Sequence, residues 1–225
     1  MPKLKTMRHN KEGIGLDYPM LVQLECRSIL VVGAGKVAVR KVKKLLRCGA
    51  QLTVVSPSGE AEFDEWERSG QLRWLRRDFL LEDLEGQEFI FGVTNSSEVN
   101  ELVVSEALKR KLWVNSGDQK YPGNFILPSS HRQGDILITV STGGKSPSVA
   151  KQIRHVLAEE FDDRWQIYLE IVERWRKAIR DQGSGREREA FWRDLLTREM
   201  VDLVRQGRFS EIEERIQDGI GRFRD

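Results

Sequence analysis

A β-branched run, Ser28–Val32 (SILVV), ends at Gly33-Ala34-Gly35-Lys36-Val37-Ala38, and a helical period begins at once. This junction constrains the chain more than any other feature. The six residues fit G-x-G-x-x-G/A. Gly33 permits a tight turn, Gly35 lets backbone approach a diphosphate, and Ala38 is small enough for helix and strand to pack closely. The helix start then offers N–H groups and the positive end of its dipole to phosphates. The pattern predicts a dinucleotide site built on Gly33, Gly35, Lys36, Val37 and Ala38. Downstream, Val37, Val39, Val42, Leu45 and Leu46 keep helical spacing to Cys48, and Gly49 stands where a helix stop is expected.

The alternation continues through residues 18–114. Gln51–Val55 reads as a second strand closed by Ser56-Pro57-Ser58. A helix with Phe63 and Trp66 leads to Leu72–Leu75. Phe89–Val93 (FIFGV) is a buried-type strand, Glu98–Arg110 a helix, and Leu112–Val114 a last short strand. Strands alternating with helices predict an α/β fold, a Rossmann-type parallel sheet with helices on both faces. One expected feature is missing. The second strand should end in Asp or Glu for the ribose hydroxyl, and Ser56, Pro57 and Ser58 stand there instead. A serine hydroxyl or a backbone group then takes the ribose. No arginine sits in that turn, so the reading favours NAD over NADP.

Beyond residue 114 the pattern changes twice. In 115–145, Asn124–Pro128 and Asp135–Ser141 read as strands with no helix between them. Residues 146–225 read as helical, with Ser146 as N-cap and Pro147 as first helical residue. Val149, Ile153, Val156 and Leu157 form one apolar stripe. Trp165, Leu169, Val172 and Trp175 form a second. Gln182–Arg186 (QGSGR) reads as a linker. Phe191, Leu195 and Leu203, with Trp192 and Leu196, make a third stripe. Trp165, Trp175 and Trp192 read as helix-packing residues. Residues 1–17 read as a lead-in, basic but without the apolar core of a secretory signal.

Composition narrows the function classes. A chain of 225 residues with 39% hydrophobic residues can bury a real core in one or two domains. The net charge of +2, with no basic block, argues against nucleic acid. No apolar run is long enough to cross a bilayer. Cys26 and Cys48 lack metal-ligand spacing and read as partly buried thiols in a reducing, cytoplasmic setting. His9, His131 and His155 form no metal cluster, so no resident metal is expected. Gly143-Gly144-Lys145-Ser146 fails as a P-loop, because Thr139 stands where its first glycine should be.

The ordered set of motifs resembles the precorrin-2 dehydrogenase/sirohydrochlorin ferrochelatase family, the N-terminal module of siroheme synthases. Val31-Val32-Gly33-Ala34-Gly35-Lys36-Val37-Ala38-Val39-Arg40-Lys41 is similar to its V-G-G-G-x-V-A-x-R-K. Thr94-Asn95, Val99-Asn100 and Val114-Asn115-Ser116-Gly117-Asp118 follow in order. Phe125-Ile126-Leu127-Pro128-Ser129 and Val140-Ser141-Thr142-Gly143-Gly144-Lys145-Ser146-Pro147 complete the set, which runs through about residues 18–160. Ala34 replaces the family's middle glycine, Pro122 falls later than expected, and Thr142 stands where a serine often does. Residues 162–225 carry no matching motif, and on this reading no uroporphyrinogen methyltransferase domain is fused.

The resemblance implies an NAD-binding domain at 18–114, a β-rich dimerisation segment at 115–145, a helical C-terminal domain at 146–225, and a homodimer. It implies NAD-dependent oxidation of the tetrapyrrole precorrin-2 to sirohydrochlorin, with Fe2+ insertion to siroheme in bifunctional members. A dehydrogenase-only member would pass sirohydrochlorin to a separate chelatase, and a non-catalytic NAD-sensing module is the alternative outside enzymes. Asp118 is the implied catalytic carboxylate. Thr94 and Asn95 join the cofactor site. Asn115, Asn124, Ser141, Thr142, Gly144 and Lys145 become substrate contacts. Around Thr142–Ser146, hydroxyls, Lys145 and a helix start suit the acetate and propionate arms of the substrate, with Lys151 and Arg154 further along. His131 falls near this segment and reads as structural or exposed. The tail, residues 186–225, reads as a dimer-stabilising or domain-closing helix pair, with partner docking as the alternative.

Overall fold

The computed structural model describes residues 17–117, 121 and 123–224. These divide into two compact units between Leu127 and Pro128.

The first unit is a five-stranded parallel sheet, β1 (Ser28–Val32), β2 (Gln51–Val55), β3 (Leu72–Leu75), β4 (Phe89–Gly92) and β5 (Trp113–Ser116), in the order β3-β2-β1-β4-β5. Helices α1 (Lys36–Leu46), α2 (Ala61–Arg68) and α3 (Ser97–Lys109) connect the strands. A parallel strand covered on both faces must be apolar throughout, and Ile29–Val32 are all at most 2% exposed. Alternate residues face opposite layers. Ile29 and Val31 pack with Ala38, Val42, Phe63 and Trp74, while Leu30 and Val32 pack with Leu84, Val103 and Val114.

The second unit opens with an antiparallel hairpin, β6 (Ser129–Gln133) and β7 (Ile136–Val140). Helices α4 (Pro147–Glu160), α5 (Asp163–Ala178), α6 (Gly185–Leu195), α7 (Arg198–Arg205) and α8 (Phe209–Arg224) follow. Ile171, Val172, Ile179, Trp192, Val204, Ile212 and Ile216 form its core, with Trp165 and Trp175 packed against it. The tryptophans are therefore helix-packing residues. On α4 the stripe stays accessible: Val149, Ile153 and Val156 are 45%, 42% and 61% exposed. No helix among the described residues is long and apolar enough to cross a membrane.

Three local expectations change. Asn124–Pro128 forms no strand. Its first residue is tied to β5 by backbone and side chain, and Pro128 has no N–H to donate, so pairing starts at Ser129. The 182–186 linker ends early, because Ser184 and Glu187 form a reciprocal capping box that starts α6 at Gly185. Cys26 and Cys48 are both exposed free thiols, since each lies in a turn at the edge of the sheet layer.

Candidate active site

Strand register builds the site. Leu75, Val55, Val32, Gly92 and Ser116 lie in one row across the five strands. The next residue on each strand, Arg76, Ser56, Gly33, Val93 and Gly117, therefore forms the carboxyl edge of the sheet. The chain runs from β1 outward through β2 to β3, then returns to β4 on the other side of β1. Ligands of such folds sit outside the carboxyl ends at this reversal, which lies here between β1 and β4.

Gly33 is confined at that reversal. Its φ is +105°, and a Cβ there would lie 2.7 Å from the Val93 carbonyl oxygen. A side chain would be both strained and obstructed. Gly35, two residues on, has no atom within 4 Å of a Cβ position. It caps α1 without any side-chain cap, and the first turn of α1 holds no acidic residue. Lys36 and Val37 are exposed and Ala38 is buried. An open glycine, uncapped helix amides and no competing carboxylate fit a nucleotide diphosphate.

The turn after β2 packs against this loop. Glu60 N–H donates to the Ala34 carbonyl at 3.0 Å. A Cβ on Gly59 would lie 2.6 Å from Ala34 Cβ and 3.1 Å from Trp74 Cζ2. The Trp74 indole N–H donates to Ser56 O at 3.0 Å, and Ser56 Oγ donates to Ser58 O at 2.7 Å. Ser56, Pro57 and Ser58 thus form one wall beside the glycine-rich turn.

Beyond β4, Thr94 is held by Asn100. Asn100 Oδ1 accepts from Thr94 N–H at 3.0 Å and Thr94 Oγ1 at 2.9 Å, while its Nδ2 donates to Thr94 O at 3.0 Å. Asn100 is 4% exposed, so these bonds replace water for a buried amide. Asn95, next to Thr94, remains accessible.

The end of β5 is clamped. Asn124 Oδ1 accepts from Val114 N–H at 2.8 Å, and its Nδ2 donates to Leu112 O at 2.9 Å. Asn115, 6% exposed, accepts from Lys41 Nζ at 2.8 Å and donates to Phe125 O at 3.0 Å. Both amides are thus engaged within the chain, where they secure the base of the loop that starts at Ser116-Gly117. Gly117 N–H also donates to Gly92 O at 2.9 Å. Asp118, the next residue, lies outside the described residues, as does Pro122.

Lys41 is the least ordinary group here. Its ammonium lies 5.4 Å from the Phe91 ring centroid. Burial, then the nearby Lys44 and Arg40 charges, lower its pKa from 10.5 to about 8. Lys41, Gly59 and Asn100 were given no site role from the sequence. For Lys41 a signal existed: Ala38, Lys41, Val42 and Leu45 follow the spacing of one helix face, so a lysine interrupts a buried stripe.

In the second unit, the Thr142 turn organises itself. Thr142 Oγ1 accepts from Ser146 N–H and donates to Ser146 O, both at 3.1 Å. Ser141 Oγ accepts from Gly143 N–H at 3.2 Å, and Ser146 Oγ caps α4 through Val149 N–H at 3.3 Å. Gly144 and Lys145 are exposed, and the first turn of α4 holds no acidic residue. His131 Nε2 is 2.8 Å from Phe161 O, a bond between hairpin and helix end.

Comparison with known proteins agrees with this architecture. Residues 20–129 match the family model described as putative NAD(P)-binding, and residues 169–220 match the sirohaem synthase dimerisation region. The chain is 33% identical over 204 residues to the siroheme synthase of Photorhabdus laumondii, covering 90% of this chain and 43% of that protein. It thus spans less than half the length of the siroheme synthases it matches. The solved structure of SirC, precorrin-2 dehydrogenase, matches with a TM-score of 0.76 at 30% identity, over 90% of this chain and 100% of that one. The precorrin-2 dehydrogenase of Priestia megaterium is 34% identical over 198 residues, which is 85% of this chain and 96% of that protein. With similarity of this extent in both sequence and fold, the chain belongs to the precorrin-2 dehydrogenase family.

Proposed function

We propose that this protein oxidises precorrin-2 to sirohydrochlorin, using NAD, in the synthesis of siroheme. The observation that carries the reading is the shared sheet edge. Gly33 and the uncapped start of α1 lie on the same edge as Gly117, one residue before Asp118. The similarity to the Priestia megaterium protein over nearly its whole length supports the same reading.

NAD, when bound, supplies the acceptor for one hydride from the macrocycle. The chain has three tasks. The amides at Gly35–Ala38 hold the diphosphate. The Ser56–Ser58 wall and the Thr94–Asn95 turn line the two sides of the crevice. The Asp118 carboxylate accepts the proton that leaves the macrocycle as the hydride departs, which balances the two-electron oxidation. The clamp of Asn115 and Asn124 keeps that loop base in place. In the second unit, the exposed Gly144 and Lys145 and the Ser141 hydroxyl suit carboxylate arms of the tetrapyrrole, with Thr142 holding the turn in place. The working assembly is a homodimer, supported by the dimerisation-region match over 169–220. The two exposed free thiols suit a reducing cytoplasm.

Anaerobic turnover of precorrin-2 with NAD tests the proposal. Asp118→Asn should lower turnover by about 10²-fold or more, with NAD affinity within about twofold of wild type. Unchanged turnover would remove Asp118 from the chemistry. Adding Fe2+ to the completed reaction then reads chelation. Siroheme absorbance would add ferrochelatase activity, and persisting sirohydrochlorin would leave the chain a dehydrogenase alone.

A further inference from the structure

The turn after β2 lacks the usual acid for the ribose, yet charge stands beside it. Ser56 N–H pairs with Leu75 O at 3.1 Å, so Arg76 is the neighbour of Ser56 along the sheet edge. The Trp74 ring links them. Its edge meets the turn, through the N–H bond to Ser56 O and the contact at Gly59. Its face carries the Arg76 guanidinium, whose carbon lies 4.0 Å from the ring centroid. An arginine in this place is the kind of group that accommodates a ribose 2′-phosphate.

Arg76 is already engaged. Nη2 donates to Asp64 Oδ1 at 2.7 Å and Nη1 to Glu67 Oε2 at 2.5 Å, both carboxylates coming from α2. Its side chain is 46% exposed, so solvent and ligand can reach it. The next basic residue, Arg77, is held by both oxygens of Asp83 at 2.6 and 2.8 Å. One guanidinium between two carboxylates leaves this cluster with a formal charge of minus one.

We propose that Arg76, Asp64 and Glu67 set the nucleotide preference, with the two carboxylates withholding Arg76 from a 2′-phosphate and repelling that phosphate. The inference rests on the nicotinamide reading above. It also accounts for the missing acid: the negative charge that discriminates at the ribose comes from α2, not from the end of β2. Rejection of the wrong ligand by a repulsive element is a common route to specificity.

The test is direct binding of NAD and NADP by calorimetry to wild type, Asp64→Asn/Glu67→Gln, and the triple variant that adds Arg76→Gln. Wild type should bind NAD about tenfold or more tightly than NADP. The double variant should narrow that gap about tenfold through tighter NADP binding, with NAD within about twofold. The triple variant should lose most of that gain, keeping only the part that comes from removing the two negative charges, because the larger part acts through Arg76. An unchanged ratio in the double variant, a gain that survives undiminished in the triple, or loss of NAD binding at an unchanged melting temperature would each overturn the proposal. Should the double variant not fold, Asp64→Asn alone gives the same comparison, and an unchanged ratio there overturns it equally. A wild type that binds neither nucleotide would refute the nicotinamide reading itself.

Discussion

The Lys41 ammonium donates to Asn115 Oδ1 at 2.8 Å, joining the middle of α1 to the carboxyl end of β5. Among the described residues no carboxylate forms an ion pair with Lys41. The described residues hold this cation by an amide dipole and an aromatic face. The pKa lowered to about 8 follows from that, with burial as its first cause.

The sign of the resulting pH dependence is set by which state keeps the proton. The unfolded chain holds it up to about 10.5, while the folded protein releases it near 8. Charged Lys41 therefore weighs against folding fully below pH 8, and the penalty fades as pH rises from 8 to 10.5. Its size is about 3 kcal/mol. Urea denaturation of wild type and Lys41→Met across this range should show wild type gaining about 2–3 kcal/mol relative to the variant. A difference that stays flat with pH would show that the buried ammonium is not what the fold tolerates.

Gly33 and Gly35 should separate stability from binding. Gly33→Ala places a Cβ 2.7 Å from Val93 O at a φ of +105°. It should cost about 2–4 kcal/mol of stability by thermal or urea unfolding. Gly35→Ala meets nothing within 4 Å and keeps an ordinary φ of −84°. It should change stability by under about 1 kcal/mol. Its methyl group would occupy the space through which a diphosphate approaches, so NAD affinity should fall by about tenfold or more. Normal NAD binding by Gly35→Ala would move the diphosphate elsewhere.

Gly59 and Ala34 should be energetically coupled. Gly59→Ala drives two Cβ atoms to 2.6 Å and crowds Trp74. The expected loss is about 1–3 kcal/mol. Ala34→Gly in the same chain removes the worst overlap, so a double-mutant cycle should return a favourable coupling of about 0.5–2 kcal/mol. Additive losses would mean that the two loops separate to relieve the contact.

Much of the first unit was legible because its signals are local. The apolar runs at Ser28–Val32, Gln51–Val55 and Phe89–Gly92, separated by helical periods, leave few arrangements other than a parallel sheet. Where pairing rather than composition makes a strand, the reading failed. Ser129–Gln133 (SSHRQ) is polar, and it is a strand because Ile136–Val140 pairs with it. The site shows the same division. The tight turn at Gly33 and the helix start at Gly35 were readable from their spacing. The duty of Asn124 was not: its amide serves backbone in and just before β5, ten and twelve residues earlier. The predicted catalytic Asp118 falls outside the described residues.

By itself the sequence determined where the strands and helices of the first unit fall and that a glycine-rich turn opens the first helix. Backbone preference and apolar period act over a few residues, so they can be read in order along the chain. Only the tertiary structure decided that Ser56 has Arg76 beside it, that Asp64 and Glu67 hold Arg76, and that Lys41 meets Asn115. Strand register and helix packing join residues 9 to 74 positions apart, and those partners depend on how the whole sheet is aligned.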